Sequence, residues 1–255
     1  MRFSKSVNRT SPDWLISTPI AHRGLHAPDV GAAENSLSAF EKALSKGLAI
    51  EFDVHLSSDK VPVIFHDDTL LRMTGDERKI ADVSAEELAT ITLKDSNDQI
   101  PTLKTVLDLV GGKVPLVIEL KKCPFGGKKL AQEVWSLLKS YKGFFSIQSF
   151  DPFILKWFFD HAPGVIRGQL SMHSPPPVIP LHRRFLMRNL MMNHISRPDY
   201  IGYDVENVHR WAVRRVTKGD IPLLAWTVST ESQLGHARKF ADNIIFEHLP
   251  LEDVM

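Results

Sequence analysis

Short apolar runs rich in β-branched residues alternate with segments of helical periodicity along almost the whole chain. Alternation of this kind is typical of βα units and predicts a parallel sheet. One of the intervening segments begins at Asn35, a common N-cap residue, after which apolar residues recur at helical spacing as far as Gly47. The predicted strands are 19–21, 49–54, 61–65, 114–120, 144–148, 165–170, 200–205, 223–228 and 243–246.

These predicted strands exceed by one the eight places of an α/β barrel, so one of them is wrong or lies outside the barrel. The segment between Asp53 and His66 differs from a βα unit, because its residues VHLSSDKVPVIF show no helical pattern. A crossover between parallel strands normally needs roughly a dozen or more residues and usually contains a helix. We therefore expect an extended, hairpin-like return between the second and third strands. The polar stretch 67–100 that follows is predicted to be a long loop or a small insertion.

Length and charge limit the classes of protein to consider. The chain has 255 residues, and its 31 lysines and arginines against 30 acidic residues give a formal net charge of +1. The length fits one α/β barrel of about 250 residues as well as it fits two smaller domains. A chain that binds nucleic acid by electrostatic attraction would carry a marked basic excess, so no nucleic-acid partner is expected.

Cysteine content and hydropathy bear on the compartment. The single cysteine, Cys123, excludes an intramolecular disulfide and is compatible with a reducing compartment, so we expect a cytoplasmic location. The basic N-terminal residues are not followed by the apolar run of a signal peptide. Nowhere do roughly 18 apolar residues occur together, so no transmembrane span is expected.

Charged residues recur at i and i+2 within two of the predicted strands, where they share one face. Glu51 and Asp53 occur in AIEFDV, and a divalent cation bound by both would offset the cost of burying two carboxylates. A salt bridge at the strand end or exposure to solvent is the alternative. Glu119 and Lys121 in PLVIELKK suit a metal and an anion, or form an ordinary ion pair. The active sites of α/β barrels lie at the carboxyl ends of strands, which favours the functional interpretation.

Two histidines follow predicted strands, His22 in IAHRG and His66 in VIFHDD. Because the ordinary pKa of histidine lies near neutrality, two of them at strand ends can serve as a general base and a general acid. Arg23, beside the first, offers a planar fork that matches phosphate. Any one of the 11 histidines taken alone is more often structural, but the combination with the acidic pairs favours catalysis.

The segment 171–198 contains a proline cluster followed by a methionine-rich, arginine-bearing amphipathic stretch. We interpret it as a rigid loop and a packed helix, since methionine commonly fills irregular gaps in a core. Peripheral contact with a membrane surface is the alternative.

The motifs IAHRG, AENSLSAF, IEFDVHLSSDKVPVIFHDDTLLRMTG, IPTL and LVIELK occur in this order in the first half of the chain. Together they closely resemble the glycerophosphodiester phosphodiesterase family, relatives of the phosphatidylinositol-specific phospholipase C barrels, and QSFDP and LLAWTV resemble it more weakly in the second half. The resemblance implies one distorted (β/α)8 TIM barrel over residues 1–255. It also implies metal-dependent hydrolysis of small glycerophosphodiesters to glycerol 3-phosphate and an alcohol, a step of lipid and glycerol metabolism.

The resemblance implies site residues position by position. The two catalytic histidines are His22 and His66. The acidic ligands of one divalent cation, Mg²⁺ or Ca²⁺, are Glu51, Asp53 and Glu119. The residues matched to phosphate or substrate binding are Arg23, Lys121, Asn35 and Trp226, with Glu34 in a supporting position. A core aromatic is the alternative for Trp226.

Some features depart from the family or stay open. Phe246 stands where the family often has a polar residue, and Lys60 replaces the usual glycine of a turn. One histidine would take the proton of the attacking hydroxyl or water and the other would protonate the leaving alcohol, in an order that the sequence does not assign. A lysophospholipase D acting on lipid phosphodiesters is one alternative activity. A non-catalytic barrel that binds a phosphorylated ligand is an alternative of another class.

Overall fold

The computed structural model describes residues 12–27, 31–219 and 221–255. These form two compact units, the first unit at Ile20–Phe145 and the second unit at Ser146–Met255 together with the described residues 12–19. The strands in the described part of the chain are β1 (Ile20–Ala21), β2 (Ala49–Leu56), β3 (Pro62–Ile64), β4 (Leu116–Leu120), β5 (Phe145–Ser149), β6 (Ile166–Ser171), β7 (Tyr200–Asp204), β8 (Leu223–Val228) and β9 (Asn243–Phe246). The α-helices are α1 (Asp13–Ser17), α2 (Leu37–Ser45), α3 (Leu71–Thr74), α4 (Ala85–Leu88), α5 (Leu103–Val110), α6 (Gly127–Leu138), α7 (Pro152–His161), α8 (Leu181–Arg188), α9 (Asn193–Ser196), α10 (Trp211–Thr217), α11 (Glu231–Phe240) and α12 (Leu251–Val254).

Strand β2 organises the sheet of the first unit. It pairs in parallel with β1 through Ala49 and Ile50 and in parallel with β4 along the opposite edge. Strand β3 returns antiparallel to the last residues of β2, with Val54 opposite Ile64. The surplus predicted strand is therefore β3, which lies outside the parallel set, and the predicted hairpin-like return is confirmed.

Helix α2 begins one residue later than the sequence pattern indicates. Its N-cap is Ser36, whose hydroxyl accepts the backbone N–H of Ala39. The prediction of Asn35 as the N-cap is therefore wrong: its backbone is left-handed, with a φ of +58°. The helix buries Phe40 and Ala43 and ends before Gly47, whose φ of +67° suits a residue without a Cβ atom.

The stretch 67–100 is a small insertion with structure of its own. It contains α3, a 3-10 helix at Ile80–Asp82 and α4. Its apolar side chains, among them Leu70 and Leu88, pack with Val63 and Phe65 from the returning strand segment. This satellite cluster fixes the insertion against β3 and so against the segment that carries His66.

The strands of the second unit pair in chain order and in parallel, β5 with β6, β6 with β7, β7 with β8 and β8 with β9. Helices connect or follow these strands, as right-handed βα units require. In the described residues, the two units together hold eight parallel strands with helices between them, so the predicted (β/α)8 TIM barrel fold is confirmed. None of the helices in those residues has the length and apolar character needed to cross a membrane.

Candidate active site

The predicted site residues of the first unit lie at or near the carboxyl ends of its parallel strands. His22 and Arg23 follow β1 directly, and Lys121 follows β4. Asp53 of β2 lies opposite Glu119 of β4 in the parallel register. Because parallel strands present their carboxyl ends at one edge, these residues are brought to the same edge of the sheet.

Three buried carboxylates, those of Glu51, Asp53 and Glu119, form the acidic cluster. Each offers one oxygen, and these oxygens lie within 4.8 Å of one another. The pKa of Glu51 is raised well above its ordinary value, because the carboxyl is buried and because Asp53 and Glu119 place like charges beside it. An all-oxygen donor set of this kind suits a hard divalent cation, which would relieve the repulsion. The acidic cluster can therefore hold a metal ion.

Two cationic side chains face the acidic cluster. The Nζ of Lys121 lies 3.2 Å from Asp53 Oδ1 and 2.9 Å from Glu119 Oε1. The Nε of Arg23 lies 3.5 Å from Asp53 Oδ2, and its backbone N–H donates to Glu51 Oε2 over 3.1 Å. Burial tends to raise the pKa of Asp53, but the charges of Lys121 and Arg23 outweigh burial and hold that pKa well below its usual range. Asp53 is thus ionised, while Glu51 retains a proton more readily.

Asn35 fixes the orientation of Asp53. Its Nδ2 donates to Asp53 Oδ2 over 2.9 Å, and the backbone N–H of Asp53 donates to Asn35 Oδ1 over 3.3 Å. The left-handed backbone of Asn35 aims its side chain at β2, a conformation that asparagine tolerates better than most residues. The residue that the sequence pattern assigns to a helix cap therefore supports the acidic cluster.

His66 is oriented by its neighbour. Its Nδ1 lies 2.6 Å from Asp67 Oδ1, and an ionised carboxylate only accepts hydrogen bonds, so Nδ1 carries the proton and Nε2 is left as the acceptor. Burial lowers the pKa of His66, and the nearby charge of Asp53 offsets this only in part. A neutral imidazole with a free Nε2 lone pair is suited to accept a proton near neutral pH.

Arg72 connects the Asp67 partner of His66 to Glu34, which also binds Arg23. Its Nε donates to Asp67 Oδ2 over 2.6 Å, and its two terminal nitrogens donate to Glu34 over 2.8 and 2.7 Å. Glu34 Oε1 also accepts from Arg23 Nη1 over 2.8 Å. The sequence analysis predicted a supporting position for Glu34 but did not include Arg72, although Arg72 lies within the motif HDDTLLRMTG.

His55 is a second residue that sequence reasoning missed. It follows Glu51 and Asp53 at i+4 and i+2 on β2, so the strand period places all three on one face. Its Nε2 lies 3.2 Å from the backbone oxygen of His66, a pure acceptor, so Nε2 carries a proton. Burial lowers the pKa of His55 and so keeps the ring neutral. The hydrogen bond from its Nε2 to the His66 carbonyl holds the His66 segment against β2.

The turn after β1 positions His22. The N–H of Gly24 donates to the carbonyl of Glu51 over 3.2 Å, and the N–H of Asn35 donates to the carbonyl of Arg23 over 2.9 Å. Gly24 has a φ of +79°, and a Cβ atom there would meet Ala39 Cβ at 2.9 Å. The turn IAHRG therefore requires its glycine.

Trp226 lies on β8 in the second unit. Its ring packs edge-on against that of Phe150, with centroids 5.6 Å apart. Its Nε1–H is buried and has no hydrogen-bond partner among the described residues. Packing in the core does not exclude contact with a substrate, so the predicted role of Trp226 in substrate binding stays a prediction.

Comparison with known proteins identifies the family. Residues 22–247 match the model of the glycerophosphoryl diester phosphodiesterase family. The chain is 30% identical to the Bacillus subtilis protein YhdW over 221 residues, which cover 83% of this chain and 86% of that protein. It is 28% identical to the glycerophosphodiester phosphodiesterase of Caldanaerobacter subterraneus over 225 residues, which cover 84% and 87% of the two chains.

A solved structure shares the fold. The phosphodiesterase of Oleispira antarctica, in complex with the product sn-glycerol-3-phosphate, superposes with a TM-score of 0.76 at 24% identity, covering 94% of this chain and 96% of the other. Fold, motif order and sequence similarity agree: the chain belongs to the glycerophosphoryl diester phosphodiesterase family.

Proposed function

We propose that this chain hydrolyses glycerophosphodiesters to glycerol 3-phosphate and an alcohol with one bound divalent cation, Mg²⁺ or Ca²⁺. The observation that carries this proposal is the acidic cluster with Arg23 and Lys121 beside it. A cation held by these carboxylates, next to the two cationic side chains, forms a place for a phosphodiester. Membership in the family and the small product bound to the Oleispira antarctica relative support the substrate class.

The ligands of the cation in this proposal are Glu51, Asp53 and Glu119. When bound there, the ion would offset negative charge on a non-bridging phosphoryl oxygen. Three carboxylate oxygens favour a hard cation over zinc, which prefers nitrogen and sulfur.

Arg23 and Lys121 bind the phosphate in this proposal. Lys121 is held by Asp53 and Glu119 at 3.2 and 2.9 Å, and Arg23 by Glu34 at 2.8 Å and by Asp53 at 3.5 Å. Both charges therefore lie beside the acidic cluster before a substrate arrives. In the transition state they offset the charge that shifts among the phosphoryl oxygens. Glu34 supports Arg23 from behind, and Asn35 supports Asp53.

His22 and His66 carry the protons. One takes the proton of the attacking water or hydroxyl as its oxygen bonds to phosphorus, and the other protonates the leaving alcohol as the P–O bond breaks. The neutral, Asp67-oriented imidazole of His66 supports its inclusion in this pair. The proposal covers both direct attack by water and attack through a cyclic phosphate.

The further assignments belong to the same proposal. Trp226 lines the substrate pocket, residues 1–255 form one domain that includes the insertion, and the enzyme works in the cytoplasm, which the single Cys123 supports.

The test is to incubate the purified protein with glycerophosphocholine and to measure the glycerol 3-phosphate that is released. We expect activity with Mg²⁺ or Ca²⁺ and its loss with a chelator. The double variant His22→Ala, His66→Ala should be inactive, and full activity of that variant would refute the proposal. Binding of glycerophosphocholine by the wild type without any turnover would instead identify a non-catalytic ligand-binding barrel.

Lysophospholipase D activity is a second candidate, favoured by exposed apolar side chains on α8. It is distinguished by offering lysophosphatidylcholine and glycerophosphocholine in parallel. Faster release of choline from the lysolipid would assign the enzyme to lipid substrates, whereas hydrolysis of glycerophosphocholine alone would exclude them.

A further inference from the structure

Helix α8 and the residues beside it present large apolar side chains to solvent. Val178 is 88% exposed, Leu181 78%, Phe185 51% and Met191 44%. None of the residues of α8 is buried. Exposed apolar side chains concentrated on one short segment indicate a contact surface, because isolated ones are usually scattered.

The orientation of α8 is fixed by the second unit. Leu181 and Phe185 are four residues apart and share one face of the helix. The carbonyl of Met187 accepts the hydroxyl of Ser171 over 2.6 Å, and the carbonyl of Arg188 accepts the hydroxyl of Tyr203 over 2.9 Å. These bonds attach the end of α8 to β6 and β7, so the apolar face stays turned outward.

Positive charge lies beside this face. No acidic residue occurs between Asp160 and Asp199, and the same interval contains Arg167, Arg183, Arg184, Arg188 and Arg197. Arg167 is buried and paired with Asp199. Within the described part of the chain, no ion pair occupies Arg183, Arg184 or Arg188, which lie on α8 itself.

The charged area extends onto α10. Arg215 donates to the carbonyl of Asn189 over 3.4 Å, which places α10 beside the end of α8. The guanidinium of Arg215 also lies over the ring of Trp211, 5.1 Å from its centroid, and Trp211 is itself exposed. The basic apolar surface thus consists of Val178, the residues of α8, Met191, Trp211 and Arg215.

We propose that the basic apolar surface docks onto an anionic lipid bilayer. Leu181 and Phe185 insert at the boundary between head groups and acyl chains, while Arg184 and Arg188, which are three residues from Leu181 and from Phe185, contact lipid phosphates. A helix with apolar residues on its outer side and arginines beside them is suited to lie in the plane of a membrane surface. A second copy of the chain fits less well, because self-association would place arginine against arginine.

The test is co-sedimentation of the full chain with vesicles, without substrate, so that its result does not depend on the proposed catalytic function. Vesicles of phosphatidylcholine alone are compared with vesicles of equal parts phosphatidylcholine and phosphatidylglycerol, at low and high salt. We expect binding to the mixed vesicles that weakens at high salt, and much weaker binding to phosphatidylcholine alone.

Two double variants separate the apolar and the charged contributions. Leu181→Ser, Phe185→Ser should weaken binding to the mixed vesicles by about tenfold or more. Arg184→Gln, Arg188→Gln should weaken it by about tenfold and reduce its salt dependence. The matched controls are Phe144→Ser, an exposed apolar residue of the first unit, and Lys104→Gln with Lys113→Gln, both of which should bind like the wild type.

Thermal unfolding of each variant, followed by circular dichroism, verifies that it is folded. Failure of the wild type to sediment with the mixed vesicles would overturn the proposal, as would equal binding by the Leu181→Ser, Phe185→Ser variant. A dimer of the wild type in vesicle-free sedimentation velocity that the same variant abolishes would assign the surface to a second copy and also overturn it.

Discussion

Asn35 and Asp53 bond to each other twice, since the Asn35 amide nitrogen donates to the Asp53 carboxylate and the Asp53 backbone N–H donates to the Asn35 amide oxygen. The pair is separated by 18 residues and is buried. It aligns one carboxylate of the acidic cluster while leaving that carboxylate's other oxygen to Lys121.

Replacement of Asn35 should therefore weaken the binding of the divalent cation. We expect Asn35→Gly, which keeps the left-handed backbone, to require about 10–100-fold more Mg²⁺ for half-maximal activity. Asn35→Ala should show the same metal effect and unfold about 1–2 kcal/mol more easily than Asn35→Gly, because alanine is strained at a positive φ. The measurements are activity against Mg²⁺ concentration and urea unfolding; unchanged metal dependence in both variants would contradict this role.

Arg72 should act on catalysis through Asp67 and His66. In Arg72→Gln the charge of Asp67 is no longer balanced by the guanidinium, so that carboxylate favours protonated His66 and raises its pKa. We expect kcat to fall by about tenfold and, if His66 is the base, the acidic limb of the kcat/KM profile to move to higher pH. Arg72→Lys should restore activity only in part, because an ammonium lacks the fork that spans Asp67 and Glu34. A loss of activity with an unmoved pH profile would indicate a structural role alone.

Glu51→Gln should stabilise the metal-free protein and abolish its stabilisation by metal. Because burial and two like charges raise the pKa of Glu51 in the folded state, the folded protein binds more protons than the unfolded chain above the ordinary glutamate pKa. This carboxyl therefore makes the metal-free wild type less stable as pH rises from that ordinary pKa toward the folded-state pKa. Glutamine removes that pH-dependent loss, and a gain of roughly 1 kcal/mol would raise Tm by about 2–4 °C.

The measurement is scanning calorimetry in chelator and in excess Mg²⁺, at mildly acidic pH and above neutrality. Mg²⁺ should raise the Tm of the wild type and leave that of Glu51→Gln unchanged. Equal metal-induced shifts in the two proteins would remove Glu51 from the ligand set.

The choice of leaving group should tell the two histidines apart. His22→Ala and His66→Ala should each reduce kcat on glycerophosphocholine by about 10²–10⁴-fold. On a glycerophosphodiester of p-nitrophenol, whose leaving group needs no proton, the variant that lacks the general acid should recover most of its activity. The variant that lacks the general base should stay impaired. Recovery by neither variant would contradict a division into acid and base.

Gly24 should tolerate no side chain. Gly24→Ala combines a positive φ with a Cβ 2.9 Å from both Ala39 Cβ and Phe40 Cδ1, so we expect a loss of about 2–4 kcal/mol in the free energy of unfolding. Gly47→Ala is the matched control, because its φ is +67° but its Cβ would meet open space. Urea unfolding of both variants gives the comparison, and equal losses would refute the steric argument.

The local sequence pattern was sufficient to predict the strands, the hairpin-like return and the placing of acidic and basic residues at strand ends. These features depend on periodicity and on the length of the connecting segments. It did not reveal Arg72 or His55. The contact of Arg72 with Glu34 spans 38 residues, and the contact of His55 with His66 depends on the register of β2 against β3. The N-cap prediction for Asn35 was wrong for a related reason, since its side chain bonds to Asp53 of a strand rather than to the helix beside it.

The antiparallel course of β3 has a consequence for how His66 reaches the site. Strand β3 runs antiparallel to β2, so each successive residue of β3 lies closer to Asp53. The N–H of Phe65, just after β3, donates to the Asp53 carbonyl over 3.0 Å. The height of His66 is therefore set by pairing register and not by the length of the hairpin. Equal insertions or deletions in the two arms would lengthen or shorten the hairpin while leaving His66 level with the carboxylates, so this connection can vary in size without moving the imidazole.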